Sequence, residues 1–153
     1  METISVHSWG LDWAWGVPLI ILSILIHVVG LKYIGDSVVN LQSRLKLRSS
    51  AGGVNVAVVG AMALLMIMLH SSEVMAWAIA YRILDALPDA KTSMLYSLGA
   101  MTTYGHAEIF LRPKWQLLGA MEALDGMFLF GLTTAFMFAI FQSIGAFERH
   151  RRA

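Results

Sequence analysis

Cysteine is absent from the 153-residue sequence, which excludes disulfides, thiolate metal sites and thiol catalysis. Charged residues are also few, at 14% of the chain, and the formal net charge is only +1. Nothing in this balance suggests a nucleic-acid partner, and no basic stretch alternates with aromatic residues as in single-strand binders. We recognise no nucleophile paired with a base, no phosphate-binding loop and no metal triad. We therefore expect neither an enzyme nor a bound cofactor.

Apolar residues are abundant: they make up 58% of the sequence, and the mean hydropathy is +0.67. These values are typical of an integral membrane protein, here in a single domain of all-α class. Three apolar stretches predict transmembrane helices. They are a first helix at residues 17–35, an outer helix at 51–82 and an inner helix at 114–147.

The ends of the apolar stretches predict the orientation in the membrane. Residues 1–16 contain no lysine or arginine, so we expect no secretory signal, and Trp9, Trp13 and Trp15 fit a segment at the extracytoplasmic interface. Loop 36–50 and tail 148–153 each carry three basic residues or more, which predicts that both are cytoplasmic. The N-terminus is then outside and the C-terminus inside.

Residues 96–115 lie between the second and third apolar stretches and are too short and too polar to span a bilayer, which takes about 20 apolar residues. Non-helical backbone at membrane depth occurs only where protein buries it or where it lines a water-filled path. The sequence therefore predicts a re-entrant pore helix and loop at residues 91–108.

Several motifs between residues 70 and 142 occur in the order found in a known family. They are the pair His70 and Glu73, WAIAY at 77–81, LPDA at 87–90, the pair Tyr96 and Ser97, the pair Thr102 and Thr103, LLGAMEALDG behind Trp115, and GLTTAF at 131–136. In these motifs the chain resembles the pore module of the two-transmembrane potassium-channel superfamily. It is most similar to small bacterial ion-channel proteins with one extra N-terminal helix.

The resemblance implies a homotetramer in a bacterial inner membrane, surrounded by lipid and passing a monovalent cation, potassium or sodium, through a central filter. Seven residues occupy the filter positions: Thr102, Thr103, Tyr104, Gly105, His106, Ala107 and Glu108. Backbone carbonyls of such a filter replace the hydration shell of the ion. The resemblance also places Asp125 on the wall of the cavity, where family members commonly carry a neutral polar residue.

The filter positions depart from the family pattern of Thr-Val/Leu-Gly-Tyr-Gly-Asp. Gly105 keeps the glycine that permits a left-handed backbone, whereas Ala107 replaces the second glycine. A Cβ in that conformation costs on the order of 1–2 kcal/mol, so we expect altered outer ion sites. The alternatives are a non-selective or divalent-sensitive cation channel, and a pore-like sensor or assembly subunit that does not conduct.

His70 and Glu73 lie one turn apart on the second helix. We interpret them as a brace behind the pore helix, with proton sensing as the alternative. A metal site would need a second such pair, which the sequence lacks. Glu122 is expected to turn from the cavity towards the pore helix, unless it and Asp125 both serve subunit contacts.

His27 raises a further alternative, a haem held between it and His70. Counted from the predicted loop at 36–50, the two histidines differ by more than about 10 Å in depth, which argues against this alternative.

The remaining site residues keep two interpretations each. Gly126 and Gly131 serve as a hinge or permit close helix packing. His106 either titrates at the mouth together with Glu108 or packs behind the filter. No row of arginines predicts a voltage sensor, so the sequence indicates no gate.

Overall fold

The computed structural model describes residues 6–46 and 53–152, which form helices and turns without a strand. Four α-helices follow one another: α1 at Val6–Lys46, α2 at Gly53–Ile83, α3 at Ala90–Met101 and α4 at Gln116–Arg152, with a 3-10 turn at Pro113–Trp115. Three stretches are long and apolar enough to cross a membrane: Trp9–Val38, Val58–Ile83 and Pro113–Gln142. The predicted all-α class with three helices suited to a membrane is confirmed.

Helix α1 is much longer than the predicted first span at residues 17–35. It begins at Val6, continues through Pro18 and ends at Lys46, so residues 36–46 of the predicted loop are helical. Basic residues predict a side of the membrane, but lysine, arginine, leucine and glutamine also favour helix, which explains the continuation. Likewise α4 runs through most of the predicted tail, to Arg152. Residues 1–5, 47–52 and 153 of the predicted segments lie outside the described part.

Helices α1 and α3 both fill the space between α2 and α4. At one end of the bundle α1 begins, α2 ends and α4 begins. Here the buried carboxylate of Asp12 accepts a hydrogen bond of 3.1 Å from the backbone N–H of Leu118, in the first turn of α4. The backbone N–H of Arg112 donates to the carbonyl of Ala86 at 3.2 Å, so the chain returns after α3 to where α2 ended. We call this the α3 end of the bundle.

Two buried apolar clusters follow each other along the bundle. The first lies at the α3 end and includes Trp77, Tyr81, Met101, Leu118 and Met121. The second lies towards the opposite end and comprises Leu31, Ile34, Val38, Val58, Met62 and Met66. Polar side chains are buried along the first cluster and at its border with the second, and they make up most of the site described below.

Helix α3 begins at a side-chain cap. Asp89 has an extended backbone, and its carboxylate accepts hydrogen bonds from the backbone N–H of Thr92 at 2.9 Å and from the Thr92 hydroxyl at 2.7 Å. Such a cap satisfies N–H groups that the first turn of a helix leaves unpaired. The bonds from Thr92, above all the backbone one, hold the pKa of the Asp89 carboxyl below its ordinary value of 3.8.

Removing this cap is expected to loosen α3. We expect Asp89→Ala to lower the Tm in detergent by about 2–4 °C, whereas Asp89→Asn keeps the accepting oxygen and most of the stability. Because the folded pKa is the lower one, the stabilisation by the charge is complete above the ordinary pKa and is lost as the pH falls through the folded one. The Tm difference between wild type and Asp89→Asn should therefore shrink in acid. A difference that is unchanged or larger in acid would contradict this role.

Candidate functional site

Helix α3 is seated along the first part of α4 by three contacts at increasing distance from the α3 end. The Tyr96 hydroxyl lies directly against Gly119, the Ser97 hydroxyl bonds to Glu122, and the Met101 carbonyl lies directly against Gly126. At Gly126 glycine is required by space, because a Cβ would overlap the Met101 backbone, whereas at Gly119 a Cβ would overlap the ends of the Tyr96 and Leu111 side chains, which would have to move. On the other side, the Ser97 hydroxyl lies 2.8 Å from the carbonyl of Val74 in α2, so its one hydrogen is shared between this carbonyl and Glu122 as alternative acceptors.

The position of Gly126 gives the depth that α3 reaches. Gly126 lies within the apolar stretch Pro113–Gln142, thirteen residues after its first residue. At 1.5 Å per residue this is roughly 20 Å from the α3 end, in a stretch of about 45 Å. The C-terminal end of α3 therefore lies close to half-way along the apolar part of α4.

The predicted filter segment, residues 102–108, follows directly. Thr103 and Gly105 both have a left-handed backbone, with φ of 58° and 71°, and their N–H groups donate back to α3, to the carbonyls of Ala100 and Gly99. A β-branched residue rarely adopts such a φ. Ala107, where the sequence predicted a strained left-handed backbone, has no positive φ. In this segment the left-handed residue that carries a Cβ is Thr103.

The side chains of the filter segment divide into exposed and packed ones. Tyr104 is 85% exposed, and Ala107 and Glu108 are exposed as well. The ring of His106 instead packs against α3: its Nε2 bonds to the carbonyl of Leu95, and it stacks on Tyr96 with ring centroids 6.3 Å apart. Because a carbonyl oxygen only accepts, Nε2 carries a hydrogen.

Behind α3, Glu122 and Asp125 are buried inside the bundle. Glu122 accepts a hydrogen bond of 2.6 Å from the Tyr81 hydroxyl in addition to the bond from Ser97. Asp125 is 3% exposed and accepts from the indole N–H of Trp77 at 3.1 Å. Asp125 thus faces α2 inside its own chain, whereas the sequence led us to expect it on the wall of a cavity.

One ring of four side chains joins α1, α2 and α4, and we call it the histidine ring. The Glu73 carboxylate contacts Nδ1 of His27 at 2.8 Å and Nδ1 of His70 at 3.0 Å. The Thr133 hydroxyl contacts Nε2 of His70 at 3.0 Å and Nε2 of His27 at 3.2 Å. His70 and Glu73 therefore bind one α1 and one α4 residue, and they do not contact the filter segment.

The predicted difference in depth between His27 and His70 is wrong. Because α1 continues to Lys46, His27 lies nineteen residues before the end of α1 and His70 seventeen after the start of α2, at matching depth. Their ring centroids are 5.2 Å apart. A single hydroxyl bridges both Nε2 atoms and a single carboxylate both Nδ1 atoms, so no gap for a porphyrin separates the rings.

The nearest donor atoms of His27, His70 and Glu73 lie within 4.8 Å of one another. These nitrogens and oxygens already face one another or Thr133 at hydrogen-bond distance, so the geometry is that of a hydrogen-bonded ring. His27 lies on a different helix from His70 and Glu73, so the spacing of residues along one helix did not predict this contact. Only with the helix ends of the structure do the three positions match: His27, His70 and Thr133 lie nineteen, seventeen and nineteen residues from the ends of α1, α2 and α4 opposite α3.

No family model matches the chain, and no curated protein or solved structure is similar enough to count as a match. The resemblance to the potassium-channel pore module therefore remains a prediction, and the function rests on the contacts described above.

Proposed function

We propose that the chain is one subunit of a homotetrameric cation channel, in which α3 is a re-entrant pore helix, residues 102–108 form the filter and α4 lines the pathway. The observation that carries the proposal is the seat of α3 between α2 and α4. A helix of 12 residues is too short to span a bilayer. Its last residue, Met101, nevertheless lies against Gly126, and the chain then returns to the α3 end of the bundle, where Arg112 bonds to Ala86.

The backbone of the filter segment supports the same function. Left-handed residues at Thr103 and Gly105, separated by one residue, change the direction of successive carbonyls, and most of the segment's surface is exposed in a single chain. Backbone carbonyls exposed at membrane depth need either other protein or ions and water as partners. Neighbouring copies around a shared axis would provide both.

The exposed surface of α4 supports assembly within lipid. Large apolar side chains are exposed along it: Leu124, Met127, Phe128, Phe130, Phe138 and Phe141. These side chains would contact lipid and neighbouring copies. Basic residues at Arg44, Lys46 and Arg48 favour a cytoplasmic location for the end opposite α3, which puts the filter on the outside of a bacterial inner membrane.

Ion flux from liposomes containing the purified protein tests the proposal. We expect cation efflux above that of protein-free liposomes, with Gly105→Ala lowering it at least about tenfold, because each copy would then hold a Cβ in a left-handed backbone at about 1–2 kcal/mol. The matched control is Gly60→Ala, which also adds a methyl group in open space but on a helix. Its flux should equal that of wild type.

The same liposomes separate the alternatives. Reversal potentials in mixed potassium and sodium distinguish a potassium-type filter from a non-selective one, and added divalent cations test block. Absence of flux from protein shown to be folded and tetrameric would overturn conduction in favour of a sensor or assembly subunit. A monomer in detergent and in lipid would overturn the assembly itself.

A further inference from the structure

The histidine ring contains four contacts, and each is a hydrogen bond only if one hydrogen lies in it. A neutral imidazole brings one N–H, a threonine one O–H, and an ionised glutamate none. Two neutral histidines, Thr133 and ionised Glu73 thus bring three hydrogens to four contacts. Whichever tautomers the histidines adopt, at least one contact would place two lone pairs against each other at 2.8–3.2 Å.

One further proton completes the ring. If it resides on a histidine, that imidazolium donates to both Glu73 and Thr133, Thr133 donates to the other histidine, and that histidine donates to Glu73. If it resides on Glu73, the carboxylic acid donates to one Nδ1, and donors and acceptors then alternate around the ring. Both arrangements fill four contacts with four hydrogens and have no net charge.

Burial favours that neutral state. The side chains of His27 and Glu73 are 0% exposed and that of His70 is 13% exposed, with the Phe130 ring stacked on it at 4.3 Å. Without the proton the ring carries one negative charge inside an apolar bundle, where an unpaired charge is costly. No lysine or arginine is among its hydrogen-bond or ion-pair partners in the described ranges.

We propose that His27, His70, Glu73 and Thr133 form a binding site for one proton, which links α1, α2 and α4. On α4, Asp125 is the ionisable group close enough to interact electrostatically with Glu73 and His27. An ionised Asp125 would favour the protonated ring, and a neutral Asp125 leaves the hydrogen count of the ring unchanged. The site does not depend on ion conduction, because hydrogen count and stability report on it directly.

Counting hydrogens in the folded wild-type chain is the decisive test. Nitrogen-15 NMR of labelled histidine reports how many nitrogens of His27 and His70 are protonated, and infrared spectroscopy reports whether Glu73 is a carboxylic acid. Glu73→Gln and His→Gln variants assign the signals. Near neutral pH we expect three hydrogens on the two imidazoles and the carboxyl group together. A count of two overturns the proposal.

Stability against pH provides an independent test. A glutamine amide both donates and accepts, so Glu73→Gln supplies the fourth hydrogen of the ring without an acidic group at position 73. We expect the Tm of wild type in detergent to fall by about 5 °C or more between about pH 6 and pH 10, since the bound proton is lost as the pH rises, whereas Glu73→Gln changes much less. The control is Asp36→Asn, the corresponding change from acid to amide on an exposed residue of α1, which should keep the wild-type slope.

Thr133 provides a further test, because Thr133→Val keeps the shape of the side chain and removes the hydroxyl that contacts both histidines. We expect a lower Tm for Thr133→Val and a nearly unchanged one for Thr133→Ser. If the Tm of wild type and that of Glu73→Gln depend equally on pH, the proposal is overturned. About one transition-metal ion per chain in elemental analysis also overturns it, since a metal would then hold the place of the proton.

Discussion

Gly126→Ala is expected to unseat α3 and to abolish ion flux. A Cβ at this position would lie well inside van der Waals distance of the Met101 carbonyl, and backbone at the end of a helix cannot rotate away as a side chain can. The Ser97 bonds to α2 and α4 prevent α3 from moving as a whole. Overpacking costs typically about 1–3 kcal/mol, and we expect the upper part of that range. Thermal unfolding in detergent and liposome flux measure the two effects.

Gly131→Ala is the matched control, because the same methyl group at Gly131 meets nothing within 4 Å. Alanine favours helix over glycine by about 1 kcal/mol, so the Tm should stay or rise slightly. Reduced flux at an unchanged Tm would identify Gly131 as a hinge. If Gly126→Ala left both Tm and flux as in wild type, the described seat of α3 would be wrong.

Glu122→Leu is expected to be the second most damaging change. It removes the acceptor of two buried hydroxyls, those of Tyr81 and Ser97, and a buried donor without a partner costs about 1–3 kcal/mol. Ser97 keeps the Val74 carbonyl as a second acceptor, so the loss falls mainly on Tyr81. We expect a Tm several degrees lower, and a smaller effect for Glu122→Gln, which keeps an accepting oxygen.

A double-mutant cycle isolates this bond. Tyr81→Phe in the Glu122→Leu background removes the orphaned hydroxyl, so the double variant should be more stable than the sum of the two single effects. Additive effects would show that Tyr81 and Glu122 contribute independently, against the contact described.

The sequence predicted the number of apolar helices and the short α3, since these follow from the lengths of apolar runs and from the polar residues after Met101. It did not predict where α1 ends, because the basic charge pattern of residues 36–46 indicates a loop, whereas the helix continues through the burial of Val38 in the second cluster and the good helix formers of residues 41–46. The predicted end of the first helix followed the basic charges, whereas helix propensity and packing determine where α1 ends in the structure.

The partners of the buried polar residues were harder to predict. Successive residues of a helix differ by about 100° in direction, so the side that Asp125 faces depends on how α4 is rotated against α1 and α2. Helix rotation is set by packing that no single run of residues encodes. The histidine ring was missed for a related reason: it needs α1 and α2 at the correct relative height, and a misplaced helix end put His27 and His70 at different depths.

The second apolar cluster, Leu31, Ile34, Val38, Val58, Met62 and Met66, lies between the histidine ring and the end of the bundle opposite α3. Its members are all apolar, whereas buried polar side chains, among them Ser23, Glu122 and Asp125, continue from the ring towards α3. If the ring binds a proton as proposed, we expect that proton to exchange along these polar side chains and so to follow the pH on the α3 side.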